Sequence, residues 1–136
     1  MSDIFSIALS GMRDSVLRIS NAVTNIVNAS STSRVPSTTS EQTTNFQPQD
    51  VVTLSQEGGD QALGVRSVLT PRDPAYRIVA GGSSTFANEQ GLIAAPNVDL
   101  ASEIVATKLA ELTYSANAAV IKAAKENDEK LLDTLT

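Results

Sequence analysis

Residues 3–28 read DIFSIALSGMRDSVLRISNAVTNIVN, and their period decides the fold. Phe5, Leu9, Met12, Val16, Ile19, Val23 and Ile26 follow one another at steps of 4, 3, 4, 3, 4 and 3. That spacing is an unbroken a/d seam over three heptads. It predicts one helix over residues 3–28, roughly 39 Å long at about 1.5 Å per residue.

Downstream the period stops. Ten of the fifteen residues 30–44 are Ser or Thr, with Pro36 among them and Pro48 just after, so helix is disfavoured and a loop is expected. Short β-prone pieces follow at residues 51–54, 64–69 and 76–79, punctuated by Gly58-Gly59, Pro71, Pro74 and Gly81-Gly82. They read as a small hairpin or three short strands. The stretch is too poor in apolar residues for a core of its own and needs a helix or a neighbouring subunit to pack on.

A second helix is expected after Pro96, with Asn97 or Asp99 as N-cap and acidic Asp99 and Glu103 near its positive end. Val98, Ala101, Val105, Leu109, Leu112, Ala116, Ala119 and Ala123 form its seam. Continued to Leu135 it would be about 57 Å long, against a radius of gyration of roughly 14 Å for a compact chain of this size. The chain is therefore expected to be elongated, with its terminal seams paired.

The expected fold is mainly α: an elongated, coiled-coil-like hairpin of long N- and C-terminal helices with a loop and a small β-rich insert between them. Its parts are an amphipathic helix at 1–29, a Ser/Thr-rich loop at 30–50, a β-prone insert at 51–95 and a long helix at 96–136. Phe5, Leu9, Met12, Val16, Ile19, Val23 and Ile26 are expected to meet Val105, Leu109 and Leu112 within the chain.

Two bands carry no charge at all, residues 19–33 and 112–121. A solvent-facing helix normally carries charges away from its seam, so such bands imply burial on several sides. The neighbours must come largely from other subunits, with Asn21, Asn25, Asn28, Tyr114, Ala116 and Asn117 as the expected interface. The competing readings are a poor-propensity helix end for the Asn series and a core-edge tyrosine with a wet hydroxyl for Tyr114.

Composition narrows the chemistry. The 136 residues include no Cys, His or Trp, which removes thiolates, imidazoles and the usual zinc, haem and iron–sulfur ligands. Gly81-Gly82-Ser83-Ser84-Thr85 lacks the Lys and spacing of a phosphate loop. Asp73, Glu89 and Asp99 match no calcium-loop pattern. No catalytic residue, cofactor site or metal site is expected. The net charge of −5 and pI near 4.6 argue against a nucleic-acid surface. No apolar run is long enough for a membrane span, and the amino terminus lacks the basic and apolar regions of a cleaved signal peptide.

Some segments also carry a likeness. Ala8-Leu9-Ser10-Gly11-Met12 with Ser20-Asn21-Ala22-Val23-Thr24-Asn25-Ile26-Val27-Asn28-Ala29 resembles the N-terminal signature of flagellar rod and hook proteins. Gly64-Val65-Arg66, Asp73-Pro74, residues 87–99 (ANEQGLIAAPNVD) and Leu112-Thr113-Tyr114-Ser115-Ala116-Asn117 resemble the bacterial flagellar basal-body rod protein family in its proximal-rod type. The resemblance implies a structural rod subunit, exported unfolded without a cleaved signal peptide and assembled in the periplasmic basal body. It would transmit torque through packed helices, have no cofactor, and bind other rod subunits and copies of itself, with the basal-body ring and export apparatus as further partners. The alternative reading is a stand-alone helical-hairpin adaptor or chaperone-like protein derived from such a subunit.

Overall fold

Asp99 opens the longer of two helices. Its extended backbone leaves the carboxylate free to accept from Ala101 N–H at 3.1 Å, a donor that the helix start leaves unpaired, and from Ser102 Oγ at 2.8 Å. The computed structural model describes residues 2–36, 46–58 and 61–134. Helix α1 spans Ser2–Asn28 and α2 spans Leu100–Asp133. The α1 end is closed by local bonds from Ala29 N–H to Ile26 O and from both Ser31 N–H and its Oγ to Asn28 O.

Among the described residues, four strands in two antiparallel pairs lie between the helices. β1 (Gln49–Gly58) pairs with β2 (Gln61–Pro71), Thr53 opposite Ser67, with a register shift at Gln56/Glu57. β3 (Tyr76–Ala80) pairs with β4 (Leu92–Pro96), and Ser33 bridges Ala94 on the far side of β4. The Asp73–Pro74 peptide that leads into β3 is cis. Of the Ser/Thr-rich loop, residues 37–45 lie outside the described residues, as do Gly59 and Leu135.

This corrects the expected fold class. Among the described residues about half are helix and a quarter strand, with two sheets in place of a small insert on a mainly α coiled coil. The β1–β2 hairpin runs longer than its apolar cores at 51–54 and 64–69, because backbone pairing carries polar Gln49, Asp50, Ser55, Gln56 and Glu57 into the ladder. The helices also do not meet as a coiled coil. They are antiparallel, with Asn25 of α1 against Glu103 of α2 and Gly11 against Asn117.

The residues between them are small or polar. Ala8, Ser15, Ala22 and Asn25 are buried on α1, and Glu103, Ala110 and Ala124 on α2. A Cβ on Gly11 would stand 2.7 Å from Asn117 Nδ2, so the bare glycine lets the amide lie against the α1 backbone. The apolar core is correspondingly thin. Among the described residues its buried members are six alanines, Ile93 and Val98.

Candidate functional site

Five polar side chains of α1 form a rail on which the β1–β2 hairpin lies. Ser10, Asp14, Arg18, Asn21 and Asn25 recur at steps of 4, 4, 3 and 4 and so share one face of the helix. Ser10 Oγ accepts from Val65 N–H at 3.0 Å. Asp14 Oδ1 accepts from Thr53 Oγ1 and Ser67 Oγ, both at 2.6 Å, and its Oδ2 accepts from Arg18 Nε at 2.8 Å. Arg18 also donates to Thr53 Oγ1. Asn21 and Asn25 both donate to Gln49 O.

Gly64 makes the approach at the first of these positions feasible. Its φ is +92°, a conformation that favours glycine, and a Cβ there would run into Ser10 Oγ and stand 3.2 Å from Ile7 Cα. The hairpin is thus held to α1 largely by hydrogen bonds. Burial pushes the Asp14 carboxyl up, but hydrogen bonds from Ser67, Thr53 and Arg18, with the Arg18 charge, outweigh it and hold the group below the usual carboxylate range.

A second cluster ties α2 to both. Glu103, buried in the first turn of α2, accepts at Oε1 from Asn25 Nδ2 and Arg72 Nη2, each at 3.0 Å. Arg72 also donates to Asp50 and to Asn97 O, so one guanidinium joins the hairpin, the α2 approach and α2 itself. The bond to Asp50 is the main influence raising the Arg72 pKa, against a smaller opposing effect of burial. Between the clusters lies a cleft of about 560 Å³ lined by Asp14, Arg18, Asp50, Arg72 and Glu103 with Leu109 and Ala110.

This constellation holds the helices and the hairpin together. Among the described residues no group of three or more His, Cys, Asp or Glu side chains could hold a metal ion, and no helix is long and apolar enough to cross a membrane.

The large apolar side chains lie elsewhere. Leu9, Val16 and Val23 are exposed on α1, and Val105, Leu109 and Leu112 on α2 are 67%, 62% and 67% exposed. Phe5, Met12, Ile19 and Ile26 are half-buried. Leu9, Met12 and Val16 line an apolar groove with Tyr114 that includes no hairpin residue, whereas Leu109 borders the cleft on the hairpin side. Leu9, Met12 and Val16 thus open away from the hairpin, and Leu109 toward it.

The asparagines behave differently from one another. Asn25 is fully buried between α1, α2 and Gln49, and Asn21 reaches the same carbonyl. Asn117 packs on Gly11 and donates to Thr113 O, and Asn28 donates to Thr24 O. Tyr114 and Ala116 are exposed. Ser10, Asp14, Arg18, Arg72 and Glu103 had not been singled out as a network. The 4, 4, 3, 4 spacing of the rail was a visible signal for its α1 half, whereas partners 53 and 78 residues away were not.

Two antiparallel terminal helices with outward apolar stripes and a β module between them define a structural protein built to pack against neighbours. Residues 89–134 match the C-terminal family of flagellar basal-body rod FlgEFG proteins. The chain is 30% identical to the flagellar basal-body rod protein FlgC of Yersinia enterocolitica, over 98% of this chain and 95% of that protein. It belongs to the flagellar basal-body rod protein family and is of the FlgC type.

Proposed function

We infer that this protein is a subunit of the proximal rod of the flagellar basal body, where it packs through its helices on other rod subunits and on copies of itself and so transmits torque. The observation that carries the reading is the inversion of its apolar residues. Among the described residues, Ile93 and Val98 are the only buried hydrophobic ones larger than alanine, while Leu9, Val16, Val23, Val105, Leu109 and Leu112 face outward. Exposed apolar stripes along two helices mark surfaces that a partner covers.

The charge-free bands fit the same reading, because a torque-bearing joint gains from contacts that need no charge desolvation. Tyr114 and Ala116 are the exposed members of the interface set, whereas Asn21, Asn25 and Asn117 support it from within by fixing the helices and hairpin. Export without a cleaved signal peptide and assembly in the periplasm belong to this reading, as do contacts with the basal-body ring and the export apparatus.

Ala116→Glu tests it, because the residue is exposed and carries no fold-holding bond. Loss of the subunit from basal bodies and loss of motility, with export retained, is the expected result. An unaffected flagellum would favour a helical-hairpin adaptor instead.

A further inference from the structure

The antiparallel register places the two charge-free bands at different heights. Asn25 meets Glu103 and Gly11 meets Asn117, so each step forward along α1 is one step back along α2. Within one chain, residue 23 is therefore level with residue 105, and residue 116 with residue 12. The charge-free part of α1, residues 19–28, runs beside residues 100–109, which include Glu103 and Lys108. The charge-free band of α2, residues 112–121, runs beside residues 7–16, which include Arg13 and Asp14.

The α1 stripe residues Leu9, Met12 and Val16 line a groove that includes no hairpin residue, whereas Leu109 of the α2 stripe borders the cleft on the hairpin side. A two-fold dimer would set like on like and leave one stripe of each copy bare. Stacking copies face to back, in one orientation, covers both stripes and continues without closing.

We propose that the occupant of the α1 stripe is the α2 stripe of a second copy of this chain, displaced along the helix axis by about eleven residues, or roughly 16 Å. This proposal rests on the rod reading and names its partner and register. The displacement is what brings charge-free band against charge-free band. It sets Val16 and Val23 over Ala123 and Ala116, large on small, and Val27 over Leu112. All three valines and Leu112 are exposed in the single chain. Face-to-back stacking without the shift would lay Lys108 and Glu111, an exposed ion pair, against the middle of α1, where both would lose water.

The absence of cysteine makes the register directly readable. Within one chain positions 23 and 116 are about 16 Å apart along the axis, whereas a disulfide needs Cα atoms roughly 4.4–6.8 Å apart. The doubly substituted chain Val23→Cys/Ala116→Cys, produced in place of the natural one, would be oxidised in isolated basal bodies and run on non-reducing gels. A second variant, Val27→Cys/Leu112→Cys, reads the same register independently.

The proposal expects a ladder of dimer, trimer and higher species from both variants and none from Val23→Cys/Val105→Cys. A ladder from the Val23→Cys/Val105→Cys chain alone would overturn the displacement while leaving assembly intact. A dimer from Val23→Cys by itself would overturn face-to-back stacking in favour of a two-fold contact. No self-ladder in basal bodies that contain the chain would overturn the second copy as occupant and point to a different rod subunit. Absence of the wild-type chain from basal bodies would overturn the rod reading itself.

Discussion

Asn25 Nδ2 lies 3.0 Å from Glu103 Oε1, a bond between residues 78 positions apart that joins the two terminal helices while both side chains are buried. Arg72 reaches the same oxygen at 3.0 Å and carries the hairpin with it. Removing the carboxylate takes one acceptor from each, leaving Asn25 its bond to Gln49 O and Arg72 its bonds to Asp50 and Asn97 O. Glu103→Leu is expected to destabilise the fold by about 1–3 kcal/mol, the scale of losing buried hydrogen bonds to a charged group. Glu103→Gln keeps an acceptor for Asn25 and is expected to cost less. Urea unfolding followed by far-ultraviolet circular dichroism gives both values, and equal costs would show that the acceptor is immaterial.

The helix approach at Gly11 makes a different prediction. Ala there gains about 0.8–1 kcal/mol in helix propensity, but its Cβ meets the movable end of Asn117 at 2.7 Å. Gly11→Ala is therefore expected to lie near neutral, and Gly11→Val to lower the melting temperature by forcing the helices apart. Adding Asn117→Ala to Gly11→Val should recover part of the loss. Additive effects of the two substitutions would contradict direct contact.

Both helices were legible in the sequence because their period is long and unbroken. The face each one turns inward was not. Size dominates any hydrophobic reading, which puts Leu9, Val16 and Leu109 inside, yet the buried α1 positions are small Ala8, Ser15 and Ala22, with Gly11 against the Asn117 side chain. The hairpin was visible only as its apolar pieces, because Gln56 and Glu57 pair through backbone that carries no sequence signal. The Asp14–Ser67 and Asn25–Glu103 bonds join residues whose proximity exists only after folding.

Asp14 links the fold to acidity. Its folded pKa is lowered, so its contribution is fully present above the ordinary carboxylate value of about 3.9 and is lost as pH falls through the depressed folded value. Wild-type stability should therefore decline on acidification below about pH 4. In Asp14→Asn that part of the slope should be missing, and the variant should be less stable than wild type at neutral pH. Melting temperatures taken between neutral pH and pH 3 check this, and identical acid slopes would exclude Asp14 as a cause.

Truncating an outward residue separates assembly from folding. Leu→Ala in a packed core costs about 2–5 kcal/mol, but Leu109 is 62% exposed. Leu109→Ala is expected to change the stability of the isolated chain by no more than about 0.5 kcal/mol and to reduce its incorporation into basal bodies. A core-sized loss in the isolated chain would contradict its outward placement.

The central claim is that the apolar stripes face water in the single chain and are covered in the assembly. Leu109→Cys, in a protein with no other cysteine, reports this through its reaction with a soluble maleimide. The account predicts rapid, complete labelling of the isolated folded chain and strong protection in purified basal bodies. Equal labelling in the two states would contradict it.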